Sequence, residues 1–199
     1  MLRLSSERRI SLLDQSRNHL RTGHQSVLDV IDAGPFVRGM AESVRTAFAK
    51  YASVSHRIVL FLNSPGGYVE EGERLIHVLQ EIRQTHRLTT VVSHGKFCAS
   101  MCIPIYLQGN DRFAARASIW VFHEAADREA DGTERIDVEE TLRLFRRYYL
   151  PAGVSTEWIR KLLPVIKEAN FWQTGGDLIS GKTGIIMYPS IATRMPRPC

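Results

Sequence analysis

The run Arg57-Ile58-Val59-Leu60-Phe61-Leu62-Asn63 constrains the fold more than any other stretch, because it stops abruptly at Ser64-Pro65-Gly66-Gly67. A continuous apolar run of this length, with no polar alternation, is what a strand buried on both faces requires. The turn ends it: Pro lacks an amide donor, and the glycines admit backbone conformations closed to other residues. From Val69 to Arg83 the residues Leu75, Ile76, Leu79 and Ile82 recur at three- and four-residue steps, which predicts a helix with one apolar stripe. Strand, turn and helix in that order begin a crossover unit, and such units build parallel sheets.

The rest of the chain continues the alternation. Strands are expected at 26–33 and 88–93, and helices at 37–50, from about 100 to 108, at 137–149 and near 155–168. Residues 112–116 and 118–125 read as a hairpin-like or paired segment. The charged stretch 126–136 reads as a loop, a solvated lid or an oligomer edge. This divides the chain into a polar, partly helical lead-in (1–25), one α/β domain with a mainly parallel sheet (26–190) and a tail (191–199). At 199 residues one full domain with a sizeable core is expected.

Charge and cysteine content narrow the function. The formal charge is +5, but arginines are spread along the chain among acids, and no basic stripe with aromatics appears. Nucleic acid is therefore not an expected partner. No stretch approaches the ~18 consecutive apolar residues of a membrane helix, and the N-terminus has no apolar core of a signal peptide. As written, the chain reads as cytoplasmic, or as periplasmic if an export signal has been removed. Cys98 and Cys102 lack the further ligands of a zinc site, and Cys199 is the last residue. No metal or cofactor is expected.

Two turns follow expected buried strands, 63–67 (NSPGG) and 96–102 (KFCASMC), and the loops at such strand ends are where sites form. Ser100 stands where a strand gives way to a helix, and helix entry can present backbone N–H groups to a developing oxyanion. His123 ends the β-forming run 118–122 and is the best candidate base. His94 lies nearer along the chain but sits ahead of a turn. Each position also has a plainer reading: Ser100 as a helix cap, Gly66 and Gly67 as a tight turn, His123 as a structural imidazole.

The stretches FLNSPGGYVEEG (61–72), CASM (98–101) and WVFHEA (120–125), in this order, resemble the Clp-type serine peptidases. They are also similar to a Clp-like periplasmic family of bacteria with a cysteine on each side of the serine turn. More distantly they resemble the signal peptide peptidases. The resemblance implies a ClpP/crotonase-like spiral of ββα units with a mainly parallel sheet. It also implies Ser100 as nucleophile, His123 as base, and an oxyanion hole drawn from Gly66, Gly67 and Met101. A peptide or protein substrate and a homo-oligomer follow by the same resemblance, with no unfoldase or membrane partner identified.

One position departs from the family. Asn170 stands where these peptidases carry the aspartate that orients the base. An asparagine can hold an imidazole tautomer but cannot stabilise imidazolium as a carboxylate does. Asn170 as a turn cap stays open beside this, as does Asp177 as a nearby carboxylate. Lys96 would be the base in a Ser-Lys arrangement. Cys98 and Cys102 read as small core residues in a reducing compartment, or as a disulfide across the serine turn after export. Two alternatives to a peptidase follow, a catalytically silent Clp-fold scaffold and a crotonase-like acyl-CoA enzyme.

Overall fold

A computed structural model of the chain describes residues 11–14, 27–53, 57–128 and 133–190. Its elements in chain order begin with β1 (Ser11–Asp14), β2 (Val27–Ala33), α1 (Met40–Tyr51), β3 (Arg57–Asn63), α2 (Val69–Arg83) and β4 (Arg87–Val92). Next come β5 (Phe97–Ala99), α3 (Cys102–Tyr106), β6 (Asp111–Ala115), β7 (Ile119–Phe122), β8 (Ala125–Arg128) and β9 (Glu134–Asp137). The chain then forms α4 (Val138–Leu144), a π-helical turn (Phe145–Tyr149), α5 (Thr156–Glu168), β10 (Phe171–Thr174), α6 (Gly175–Ser180) and β11 (Tyr188–Ser190).

The main sheet has the order β1-β2-β3-β4-β6-β11. From β2 to β11 every neighbour is parallel; β1 alone is antiparallel. The three strands expected at 26–33, 57–63 and 88–93 are neighbours in it, with α2 as the crossover between β3 and β4. Ile58, Leu60 and Leu62 share a core with Ala41 and Val44 of α1 and with Leu75, Ile76, Leu79 and Ile82 of α2. Burying each large aliphatic side chain contributes about 1.5–3 kcal/mol. The other face of β3, with Val59 and Phe61, is only half-buried, so the strand is not sealed on both sides as expected. Glu70 and Glu71 in the first turn of α2 and Arg83 in its last complement the helix dipole.

Three further expectations need correction. Residues 111–115 and 119–122 do not pair with each other: β6 joins the main sheet, while β7 joins a second sheet of order β10-β7-β5. The chain switches sheets at a turn where Ser118, fully buried, donates its hydroxyl to the Ala115 carbonyl at 2.6 Å. The stretch read as a charged loop holds the two-stranded ribbon β8–β9, with Asp127 paired to Arg135. Of the lead-in, read as polar and partly helical, Ser11–Asp14 form a strand; its other residues and the tail 191–199 lie outside the described residues. The helix expected from about 100 shortens to Cys102–Tyr106.

Candidate active site

Both suggestive turns meet on the smaller sheet. After β3 the chain makes an isolated bridge between Ser64 and Cys98: Ser64 N–H donates to the Phe97 carbonyl and Ala99 N–H to the Ser64 carbonyl, each at 3.0 Å. The Ser64 hydroxyl, fully buried, donates to the Gly34 carbonyl at 2.6 Å and accepts from Gly66 N–H at 3.2 Å. It ties the chain end of β2 to the glycine turn. Sequence reasoning missed this residue, although it stands inside the SPGG motif, because only the glycines there had been given a role.

Ser100 follows β5 in the left-handed region, with φ of 53°. A non-glycine residue pays about 1–2 kcal/mol for that conformation, so the surroundings must impose it. Its N–H donates to the Val121 carbonyl of β7 at 3.0 Å, and its carbonyl accepts Ile103 N–H at 3.0 Å. Gly66 packs so closely that a Cβ there would lie 2.6 Å from the Ser100 Cβ. Met101 then leads into α3 without any side-chain cap, so Ser100 is not the cap of this helix. The Met101 side chain fills the space left by Gly72, where a Cβ would meet its Cγ at 2.3 Å. This close approach accounts for a glycine inside α2, where helix propensity disfavours it by about 1 kcal/mol.

Cys98 and Cys102 form a disulfide. Their spacing resembles one turn of helix, which orients two cysteines poorly for bonding. Here Cys98 belongs to a strand, Cys102 opens a helix, and the left-handed Ser100 reverses the chain between them. The Cα atoms come to 5.2 Å, inside the usual range of about 4.4–6.8 Å. Both residues are completely buried.

The backbone donors around Ser100 differ in what they bond. Gly66 N–H is committed to Ser64 Oγ, whereas Gly67 N–H and Met101 N–H have no acceptor among the described residues. Gly67 is pinned against Phe36, whose N–H donates to the Gly66 carbonyl at 2.7 Å and whose carbonyl accepts Tyr68 N–H at 3.2 Å. A Cβ at Gly67 would stand 2.3 Å from the Phe36 oxygen.

His123, the candidate base, and Asn170 come from the other two strands of the small sheet. His123 follows β7 and Asn170 precedes β10. The register pairs Phe122 with Phe171, so one step further sets Asn170 opposite His123. Likewise β5 pairs Ala99 with Val121, one step before Ser100. His123 is half-buried and Asn170 exposed. The His123 Nδ1 lies 2.6 Å from the Glu124 carbonyl. A carbonyl only accepts, so Nδ1 carries the proton and a neutral ring keeps its lone pair on Nε2. The Ser100 hydroxyl and the Asn170 amide bond to no described residue. Asp177 is occupied elsewhere: its carboxylate accepts Thr174 N–H at 2.8 Å and Thr174 Oγ1 at 2.7 Å, forming the capping box of α6.

Gly66, Gly67, Ser100, Met101, His123 and Asn170 all line one open groove of about 1290 Å³. His94 and Lys96 are exposed and outside it. Glu73 sits in the groove wall. Burial pushes its carboxyl up, but hydrogen bonds from Arg143 and Tyr148, with the charges of Arg143 and Arg147, more than offset this and hold it below the usual carboxylate range. That cluster ties α2 to α4 and the π-helical turn. Among the described residues no three of His, Cys, Asp and Glu converge as metal ligands.

The family model for Clp protease matches residues 34–148, more than half of the chain. The chain belongs to the Clp protease family. Solved structures similar to this Clp protease family member include ClpP1 from Listeria monocytogenes, with 26% identity and a TM-score of 0.62 over 83% of this chain and 92% of that one. An Asn-to-Asp variant of the same ClpP1 gives 25% identity and a TM-score of 0.64 over the same shares. The ClpP protease catalytic domain from Plasmodium falciparum, at 19% identity, TM-score 0.59, and 84% of this chain with 86% of that one, speaks for the fold alone. No curated protein matches significantly.

Proposed function

We propose that this Clp-family chain is a serine peptidase that cleaves amide or ester bonds through an acyl-enzyme on Ser100. The observation that carries the reading is the convergence of three strand ends, β5, β7 and the start of β10, which brings Ser100, His123 and Asn170 to one edge of one sheet beside the groove. Ser100 Oγ attacks the scissile carbonyl while His123 Nε2 takes its proton. The developing oxyanion is received by Gly67 N–H and Met101 N–H, backbone donors beside Ser100 with no acceptor among the described residues. Gly66 contributes close approach instead of a donor. His123 then returns the proton to the leaving amine, and water repeats the sequence on the acyl-enzyme.

Asn170 is the base's side-chain neighbour in this reading, while the Glu124 carbonyl holds Nδ1. A peptide or protein substrate and self-association are proposed from the family. A second reading, a silent scaffold on the same fold, is favoured by one specific observation: the group on His123 Nδ1 is a neutral carbonyl, not a carboxylate. Hydrolysis of a fluorogenic peptide library by the wild type and by Ser100→Ala tests the two. Cleavage lost in Ser100→Ala supports the peptidase; no cleavage by either supports the scaffold.

A further inference from the structure

We infer that the Cys98–Cys102 disulfide is a positioning element for catalysis, which keeps the Ser100–Met101 peptide aimed at the reacting carbonyl and makes the oxidised enzyme the faster form. The inference rests on the proposed role of Ser100 and goes beyond it by giving the site a redox condition.

The argument begins with the peptide plane between Ser100 and Met101. It carries the Ser100 carbonyl on one side and the Met101 N–H, a proposed oxyanion donor, on the other. Its direction follows from the left-handed φ of Ser100. Upstream, the strand is firmly held: Ala99 N–H bonds the Ser64 carbonyl and Ser100 N–H the Val121 carbonyl. Downstream, the hold is weaker. One backbone hydrogen bond, from Ile103 N–H to the Ser100 carbonyl, the first residue of a five-residue helix without a side-chain cap, and the packing of the Met101 side chain against Gly72 define where the plane points. The disulfide joins the firm side to the weak side. Cys98 is fixed in β5, parallel to β7, and Cys102 is the residue from which α3 starts. With the bond closed, Cys102 cannot move away from β5, and Ser100 cannot relax to an ordinary helical φ.

Opening the bond frees that relaxation, which a non-glycine residue favours. The Met101 N–H then swings away from the oxyanion position while the rest of the sheet stays paired. Reduction is a balanced exchange: a dithiol gives two electrons and two protons to the disulfide, yielding two cysteine thiols and the cyclic disulfide of the reagent. Because both cysteines are fully buried, the dithiol must act during local opening of the turn, so inactivation is slow and follows first-order kinetics once the reagent is in excess.

The test uses the full chain and follows Ser100 labelling by a fluorophosphonate, with free thiols counted by alkylation and mass. The oxidised protein is expected to label at Ser100. After dithiothreitol the rate should fall roughly tenfold to a hundredfold, as for a misdirected oxyanion donor. It should recover when a disulfide oxidant closes the bond. For peptide substrates kcat should fall with KM held, since the groove is unchanged. The double variant Cys98→Ala/Cys102→Ala should label at the reduced rate and ignore dithiothreitol. Reversible treatment of the wild type keeps the test informative if that variant does not fold. Equal labelling with the thiols proven free, cysteines that stay free under oxidant, or loss of labelling only in step with loss of the far-UV spectrum each overturn the positioning role and leave the peptidase reading standing. Oxidised protein that never labels at Ser100 overturns the peptidase reading and this inference with it.

Discussion

Around Ser100 most neighbouring side chains are buried, whereas around His123 and Asn170 the site opens to solvent. The half around the proposed nucleophile is built from buried Ser64, the buried cystine, and Gly66, Gly67 and Gly72, three glycines whose neighbours stand at distances that forbid a Cβ. The base half is a half-buried imidazole after β7 and an exposed amide before β10. In the proposed peptidase, geometry that must be accurate for an oxyanion is thus held against the core, while the proposed proton-transfer groups sit where a substrate can complete them. The difference teaches that substitutions in the two halves should fail in different ways: stability and chemistry together on one side, chemistry alone on the other.

The largest effect is expected from Gly66→Ala. Its Cβ would meet the Ser100 Cβ at 2.6 Å and the Ala99 oxygen at 2.9 Å, at a φ of 98°. Overpacking and an unfavourable φ together should cost about 2–4 kcal/mol, seen as a lowered denaturant midpoint, with peptide turnover lost. An unchanged midpoint would break the view that this half is locked. His123→Ala should come next, slowing turnover by about 10²–10⁴-fold with the thermal midpoint nearly unchanged.

Asn170 sharpens the comparison further. With Nδ1 already held by the Glu124 carbonyl, Asn170→Ala should slow turnover by no more than about fivefold, the worth of one ordinary hydrogen bond. Asn170→Asp should equal or exceed the wild type, because a carboxylate stabilises imidazolium. A loss as large as that of His123→Ala would mean that the base half is as tightly organised as the nucleophile half.

The smallest effect concerns a pair away from both. The Arg87 hydrogen bond, then that of Arg57, outweigh burial and hold the Asp111 carboxyl below the usual range. A depressed folded value contributes stability that is present above the unfolded carboxylate value, about 3.9, and is lost as pH falls through the folded one. Asp111→Asn should remove up to about 1 kcal/mol at neutral pH, given solvent screening of the arginines, and flatten the acid limb of the stability profile without touching turnover.

How much of this was legible in the sequence follows from what each residue advertises. β3 and α2 lie at the expected 57–63 and 69–83 because an apolar run and a helical stripe each record at least one buried face, although the run overstated the burial of Val59 and Phe61. The ribbon β8–β9 left no such record: Ala126, Asp127, Arg135 and Ile136 are all exposed, so no face alternates. The separation of β6 from β7 depends on which sheet each strand joins, a non-local choice that short-range pattern does not carry. The cystine was one of two open readings of Cys98 and Cys102, since four residues apart suggests a helical turn until the left-handed Ser100 is known. The candidate site residues were readable as residue types at strand ends. The committed Gly66 N–H and the carbonyl on His123 Nδ1 are backbone facts, and no side chain announces them.

The central claim, that Ser100 is the nucleophile and His123 its base, is tested most directly by acylating the oxidised protein with an activated acetate ester and following the intact mass. The account predicts one acetyl group per chain, mapped to Ser100, forming about 10²–10⁴-fold more slowly in His123→Ala. An acetyl group on another residue, none at all, or an unchanged rate in His123→Ala would contradict it.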